Sequence, residues 1–524
     1  MMGMADHILL GISAVFAGPE FAGIPVNILM VIGGLFFGIF IGATPGLAGP
    51  MAMAIALPIL ISIFGYEAAA LLPILGFLIG IMKGATLGGA VPAILFNTPG
   101  TPDALMTTYD GYPMTQKGEA KKALKAAHFS SVSGDTISDI ILILCAPFLA
   151  VFVESHLDLP EKSALIILSL TFIAAVMGKS VAKGLIAVGL GLFVAFIGTG
   201  EDFYPRLSLG VDAIGGGFPI ASVVLGTLIM GEVLNAMIEA RQQSAKTGKI
   251  TQIFLKVSGS LSLKERLTLL PYILPSALIG TAVGALPGIG STLAATLGYT
   301  NGKNRHQKTR QEGGRSFGEG AIEGVASTEA ANSAVSGANL IPVLSLGIPG
   351  NAAAIFLILA METVDGLNPG PSVFRVPSEG VNTEMVMAFG IFTLMILANI
   401  TNWIVGGHVM QFMSVMARVP KQILMPTVFL VTITAVYAQE TSLYAIIVLL
   451  AFGLLGLAMR LVQIPILPFI IAYILGGILE RTARQAFAST GADPYFLFSS
   501  PVALIFMVLA FSIIFLFSKK RRKR

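Results

Sequence analysis

The residues of this chain best placed to do chemistry are helix-breaking pairs and a few acids set among apolar residues. Pro-Gly pairs stand at Pro45-Gly46, Pro99-Gly100, Pro287-Gly288 and Pro349-Gly350, each inside or beside an apolar run. Proline lacks an N–H and glycine permits φ > 0, so such a pair ends a helix. Within a bilayer the opened backbone must be buried in protein or line a cavity. N–H groups at the new helix N-termini then suit an anion, and freed carbonyls at C-termini suit a dehydrated cation. The candidate substrate-binding residues are accordingly Gly42, Thr44, Pro45, Gly46, Asn97, Thr98, Pro99, Gly100, Pro287, Gly288, Ser291, Ser345, Pro349, Gly350 and Asn351. For any one pair, a tight turn between packed helices is the competing explanation.

Ionisable residues inside a membrane are costly and usually functional. Glu329 and Asn332, in Ser327-Thr-Glu-Ala-Ala-Asn-Ser333, are candidates for cation coordination or gating, against a capping role near the inner surface. Asp135 and Asp139 are spaced i, i+4 and share a helix face, where two carboxylates can share a proton or hold a cation. The alternative leaves them near the end of their span, solvated or bonded to Ser131 and Ser138. Lys83 lies mid-run, where an ammonium costs about 2.5–3.5 kcal/mol, so it needs compensation. It is either an anion contact or the partner of an acid such as Glu232 or Asp135, unless it snorkels to a wet cavity. Along a straight helix it stands about 21 Å from the break at Asn97, too far to share one small ligand. A fold at Gly84, with Gly88-Gly89 following, would shorten that reach.

Enzyme chemistry finds little footing. The five histidines have no metal-ligand spacing, so no metal site and no cofactor are expected. Gly178-Lys179-Ser180 lacks the first glycine of a phosphate loop, since Ile173 occupies that position. Ser291 lacks the surroundings of a nucleophile elbow. An intramembrane enzyme would need a Ser/Lys, Ser/His or Asp dyad within the spans. A channel would move its solute only downhill.

These residues must be positioned by helices in a membrane. Of 524 residues, 55% are hydrophobic and only 11% charged, against about 25% charged in a soluble domain. The lone cysteine, Cys145, excludes a disulfide scaffold. Apolar runs fall near 24–41, 47–64, 68–97, 127–152, 163–178, 184–198, 217–239, 268–285, 287–300, 330–361, 385–410, 424–437, 442–459, 462–479 and 499–517. Several are too short for a straight crossing and read as tilted, broken or re-entrant. Basic clusters occur at Lys117–Lys125, Arg241–Arg266, Lys303–Arg315, Arg418–Lys421 and Lys519–Arg524. Acidic stretches occur at Glu154–Glu161, Glu201–Asp212 and Glu362–Glu384. Starting outside and crossing at each run puts every basic cluster inside and every acidic stretch outside, as the positive-inside rule requires. The expected fold is an all-α polytopic membrane protein of about 11–12 transmembrane helices plus re-entrant or broken hairpins. The N-terminus is expected outside and uncleaved, because no Lys or Arg precedes Lys83, and the C-terminus cytoplasmic.

Three motifs recur in the same order. Gly42-Ala-Thr-Pro-Gly46 pairs with Gly284-Ala-Leu-Pro-Gly288 at an offset of 242, and Pro92…Pro99-Gly100 with Pro342…Pro349-Gly350 at 250. Asp110-Gly111 pairs with Asp365-Gly366 at 255. Equivalent points fall on opposite faces of the charge map, the signature of two inverted-topology repeats with a site near the midplane. The organisation read is a segment 1–23, a first half 24–240, a basic linker 241–267, a second half 268–498, and a last helix with basic tail 499–524.

At Gly42–Gly49, Asn97-Thr-Pro-Gly-Thr-Pro102, Asp110-Gly-Tyr-Pro113 and Glu329-Ala-Ala-Asn332…Leu346-Gly-Ile-Pro-Gly350 the chain resembles the large, TctA-type membrane subunit of the tripartite tricarboxylate transporters. The resemblance spans about residues 20–500. It implies a secondary transporter in the bacterial inner membrane that imports small organic carboxylates on a Na⁺ or H⁺ gradient. The implied partners are a small four-helix TctB-type membrane subunit and a periplasmic TctC-type solute-binding protein. Nucleic acid has no place in it. Lys83 departs from the small and aromatic residues more usual there, which puts the identity of the substrate in doubt.

Overall fold

Every apolar run of the sequence becomes helix, and where the runs stop early the cause is a proline or glycine. The computed structural model describes residues 3–44, 47–177, 180–199, 204–208, 210–243, 261–309, 315–413 and 421–522. Pro45 and Gly46 of the first break, Gly178-Lys179, Arg418 and most of the basic linker lie outside the described residues. Among the described residues, strand is confined to two hairpins of paired dipeptides, Glu20–Phe21 with Ile24–Pro25 and Gly198–Thr199 with Pro205–Arg206.

Eight helices among the described residues are long and apolar enough to cross a membrane, and six shorter apolar helices accompany them. The run at 330–361, read as one span, is three helices: Ile322–Ala338, Leu340–Leu346 and Ala352–Thr363. Gly347, at φ 69°, turns the chain out of the second of these. The opposite correction applies at Gly84. The helix Leu71–Phe96 runs unbroken through it. Its glycines serve packing instead, since a Cβ at Gly84 or Gly88 would lie 2.3 Å from a carbonyl oxygen, of Leu35 or Ile39 respectively. Small residues on both partners let the backbones of Val26–Gly42 and Leu71–Phe96 touch, which is how helices associate where lipid removes the hydrophobic incentive.

The chain forms two compact units. The first comprises Met1–Ala150, Ser244–Leu286 and Gly290–Leu424. The second comprises Val151–Gln243, Pro287–Ile289 and Met425–Arg524. The second unit contains Leu159–Met177, Val181–Ala195, Leu443–Leu461, Ile466–Ser489 and Pro501–Arg522. Among its ion pairs, Arg206 grips Glu480 through two bonds of 2.8 and 3.0 Å, and Arg460 binds Glu232 at 2.8 Å. Glu232 is thereby committed to Arg460 and is not the partner of Lys83.

Within the first unit, segments of like charge character meet. The Asn382 N–H donates to His7 Nε2 and the Asp365 N–H to the Tyr66 carbonyl, joining stretches read as outside. Arg315 pairs with Glu119 and Lys122 with Glu265, joining stretches read as inside. Asp110 locks this second group together. Its Oδ1 accepts the N–H groups of Gly318, Gly320 and Ala321 at 2.8–2.9 Å. Burial pushes the Asp110 carboxyl above its ordinary range, opposed by those three hydrogen bonds.

Candidate functional site

The breaks of the first unit come in touching pairs. Val26–Gly42 ends where the Ala43 N–H bonds the Ile39 and Ile41 carbonyls, and Leu263–Gly284 ends where Ala285 bonds Thr281 and Val283 in the same way. Leu71–Phe96 ends in the left-handed Asn97, with the Thr98 N–H returning to the Pro92 carbonyl at 3.3 Å. Leu340–Leu346 ends in the left-handed Gly347, with Ile348 returning to Pro342 at 3.1 Å. Both are left-handed C-caps of the kind that satisfy a helix's last carbonyls. A Cβ at Gly100 would sit 2.3 Å from the Gly42 carbonyl, and one at Gly350 would sit 3.5 Å from that of Gly284. Packing recurs at the same offsets: Gly38 against Ile81 and Gly42 against Ala85 in one pair, Gly280 against Ala331 and Gly284 against Val335 in the other.

The predicted contacts at these breaks are mostly self-satisfied. Thr44 and Ser345 are buried and donate to carbonyls of their own helices, at Phe40 and Ile341. Asn351 caps Ala352–Thr363, its Oδ1 accepting the Ala354 N–H at 2.9 Å. Asn97 and Thr98 are exposed, Pro99 is half-buried, and Gly100, Pro349 and Gly350 are buried. Ser291 opens the helix Ser291–Thr309. Pro287 and Gly288 belong to the second unit, where Gly288 lies against Ile173.

The stronger constellation is a buried polar seam between helices of the first unit. On Ala120–His156, Ser131, Asp135, Ser138 and Asp139 follow the i, i+4, i+7, i+8 spacing of one face. Gly134 brings that face against the Ala330 backbone of Ile322–Ala338, and Ser138 donates to the Ala334 carbonyl. Glu329 is fully buried and accepts from the hydroxyls of Thr107 and Ser131, the second at 3.1 Å. It therefore sits inside the unit, not at the mouth of a run. Asn332, one turn on, is 1% exposed and has no hydrogen-bond partner among the described residues at either amide atom.

Lys83 is 0% exposed. Its Nζ donates to Asp139 Oδ2 at 2.8 Å and lies 3.5 Å from Asp135 Oδ1. Asn399, from Thr383–Thr401, donates to the same Asp139 oxygen at 2.7 Å. The two aspartates are thus neither solvated nor bonded to Ser131 and Ser138, whose hydroxyls are engaged elsewhere. Lys83 is far from the Asn97 break along an unbroken helix, so the two do not share one small ligand. Its partners are the two carboxylates. Sequence reasoning singled out Lys83, Asp135 and Glu329 but missed Thr107, Ser131 as a Glu329 partner, and Asn399. An asparagine within the apolar run 385–410 was the available signal for the last.

A cavity of about 220 Å³ in the same unit was not foreseen either. Lys125, His128, Arg266 and His408 line it with Phe129 and Trp403, whose rings meet edge-on at 5.7 Å. Two cations and two imidazoles between aromatic walls suit a small organic anion.

Fold and site together define an all-α polytopic membrane protein with interrupted helices around a buried polar core. The model of the tripartite tricarboxylate transporter TctA family matches residues 28–471, and the chain belongs to that family of transport proteins. It is 28% identical, over its whole length and 98% of the relative, to an uncharacterized 52.8 kDa protein of the TAR-I ttuC' 3' region of Agrobacterium vitis. It is also 28% identical to an uncharacterized protein of the TAR-II ttuC' 3' region of the same organism, over 36% of this chain and 74% of that one. No solved structure matches it.

Proposed function

We propose that this protein is the large membrane subunit of a binding-protein-dependent secondary transporter that imports small organic carboxylates on an ion gradient. It would sit in the bacterial inner membrane, N-terminus outside and C-terminus cytoplasmic. It would work with a small TctB-type subunit and a TctC-type binding protein. The observation that carries this reading is the duplicated break geometry, Gly100 on the Gly42 carbonyl and Gly350 on that of Gly284. Broken helices repeated in the same order are how an inverted duplication builds a binding region in a transporter. The basic, aromatic-walled cavity at Arg266 supports an anionic substrate, and the polar seam at Glu329, Asn332 and Asp135 supports a role in binding the coupling ion, Na⁺ or H⁺.

Reconstitution tests it. Proteoliposomes holding both membrane subunits, supplied with binding protein and a panel of labelled di- and tricarboxylates, should accumulate at least one of them under an imposed ion gradient. Equal movement without gradient or binding protein would establish a channel instead. Absence of uptake for every carboxylate would overturn the proposal.

A further inference from the structure

The charges in the seam do not balance. Asp139 takes two donors on Oδ2, the Lys83 ammonium at 2.8 Å and the Asn399 amide at 2.7 Å, while its buried Oδ1 has no hydrogen-bond partner among the described residues. Asp135 has the remainder: its Oδ1 lies 3.5 Å from Lys83 Nζ, is buried, and makes no hydrogen bond among the described residues. The groups facing it can be named helix by helix. Leu71–Phe96 contributes Lys83, Thr383–Thr401 the neutral Asn399, and its own helix Asp139, Ser131 and Ser138. From Ile322–Ala338, Glu329 is held by Ser131, one turn away, and by Thr107. Lys83 is the single cation among these described residues. With both aspartates ionised the triad carries one net negative charge, before Glu329 is counted. A buried carboxylate without its own counter-charge is strongly disfavoured where water is excluded.

We propose that Asp135 carries the exchangeable proton of this transporter and that Lys83, a tethered cation between two carboxylates, keeps Na⁺ out of that place. A proton adds no volume, and turns Asp135 from carboxylate to carboxylic acid while the Lys83–Asp139 pair stays intact. The triad then goes from one net negative charge to none. A metal cation wedged between the same oxygens would meet the ammonium at contact distance, where like charges repel most. The role of this proton in import rests on the function proposed above. Its presence on Asp135 does not, and the experiment measures that presence directly.

The full-length protein, purified into lipid nanodiscs, is compared in H₂O and D₂O by infrared difference spectroscopy at neutral pH. The wild type should show the C=O stretch of a protonated carboxyl group. Asp135→Asn should lose that component, whereas Glu329→Gln should keep it. Lys83→Met, which leaves two acids and no cation, should raise the protonated-carboxyl signal about twofold. Replacing choline chloride with NaCl should leave the wild-type melting temperature unchanged. If Asp135→Asn does not yield monodisperse protein, Asp135→Glu, which keeps the acid and shifts it by one methylene, must move the band in frequency. An unchanged band in either variant, or a Na⁺-dependent rise in melting temperature abolished by Asp135→Asn, would overturn the proposal. Uptake is not among these readouts, so a protein that imports carboxylates yet lacks the band would defeat this inference alone. A protein with the band but no uptake would defeat only the function.

Discussion

Two buried carboxylates of the first unit, Asp139 and Glu329, sit on adjoining helices and are handled in opposite ways. Asp139 faces an ammonium and an amide, both donating at under 3 Å. Glu329 faces hydroxyls, from Thr107 and Ser131, and no cation among its described partners. Removing one member of a buried ion pair leaves an uncompensated charge, while a carboxylate held by hydroxyls can be replaced by its amide with little disturbance. The first arrangement fixes helices together. The second leaves a carboxylate free to change its charge or its ligand, which suits a working site. Asp135, beside the ion pair without being fully part of it, falls between the two.

The comparison can be broken at its stronger end first. Asp139→Leu should destabilise the protein by about 3–5 kcal/mol, because Lys83 loses its closest partner. Adding Lys83→Met to that variant should restore most of the loss, a coupling read from the melting temperatures of the two single variants and the double. If the single and double variants melt alike, the pair does not hold the helices. Gly337→Ala tests the approach that makes the pair possible. A Cβ there would lie 2.1 Å from Asp139 Oδ1, so a cost of about 1–3 kcal/mol is expected.

Glu329→Gln should change stability by about 1 kcal/mol or less, since one of the Thr107 and Ser131 hydroxyls can still donate to the amide oxygen while the other turns to accept from the amide N–H. Gradient-driven uptake should nevertheless fall about tenfold or more if the carboxylate charge is used. A variant that folds and transports normally would reassign Glu329 to packing. The smallest effect concerns a pair outside the spans. The Arg315 guanidinium holds the Glu119 carboxyl below its ordinary range, aided by Lys122 and Lys117 against partial burial. A lowered folded-state value contributes stability above the unfolded carboxylate range and loses it as pH falls from that range through the lowered folded-state value. Glu119→Gln should therefore flatten the acid limb of the melting-temperature profile slightly, because the pair is half-exposed and screened. A wild-type acid limb no steeper than that of Glu119→Gln would show that the pair contributes nothing.

The sequence by itself determined the class of fold. A chain with 11% charge and fifteen apolar runs has few alternatives to a membrane helix bundle, because each backbone polar group in lipid must be satisfied within its own helix. It also marked the two helix ends at the left-handed caps, since proline and glycine act through local backbone geometry: Pro92 and Pro342 precede Asn97 and Gly347. The spacing of Asp135 and Asp139 put both acids on one face before any neighbour was known. Tertiary structure alone decided who their neighbour would be. Lys83 is separated from Asp139 by 56 positions and Asn399 from it by 260, and Glu329 from Thr107 by 222. Such partners are fixed by which helix faces pack, and that depends on glycines such as Gly38, Gly134 and Gly337 admitting a neighbouring helix. The role of Gly84 shows the limit of local reading. In isolation it is a possible break; against Leu35 it is a contact surface, because tertiary packing supplies the constraint that a glycine's own flexibility leaves open.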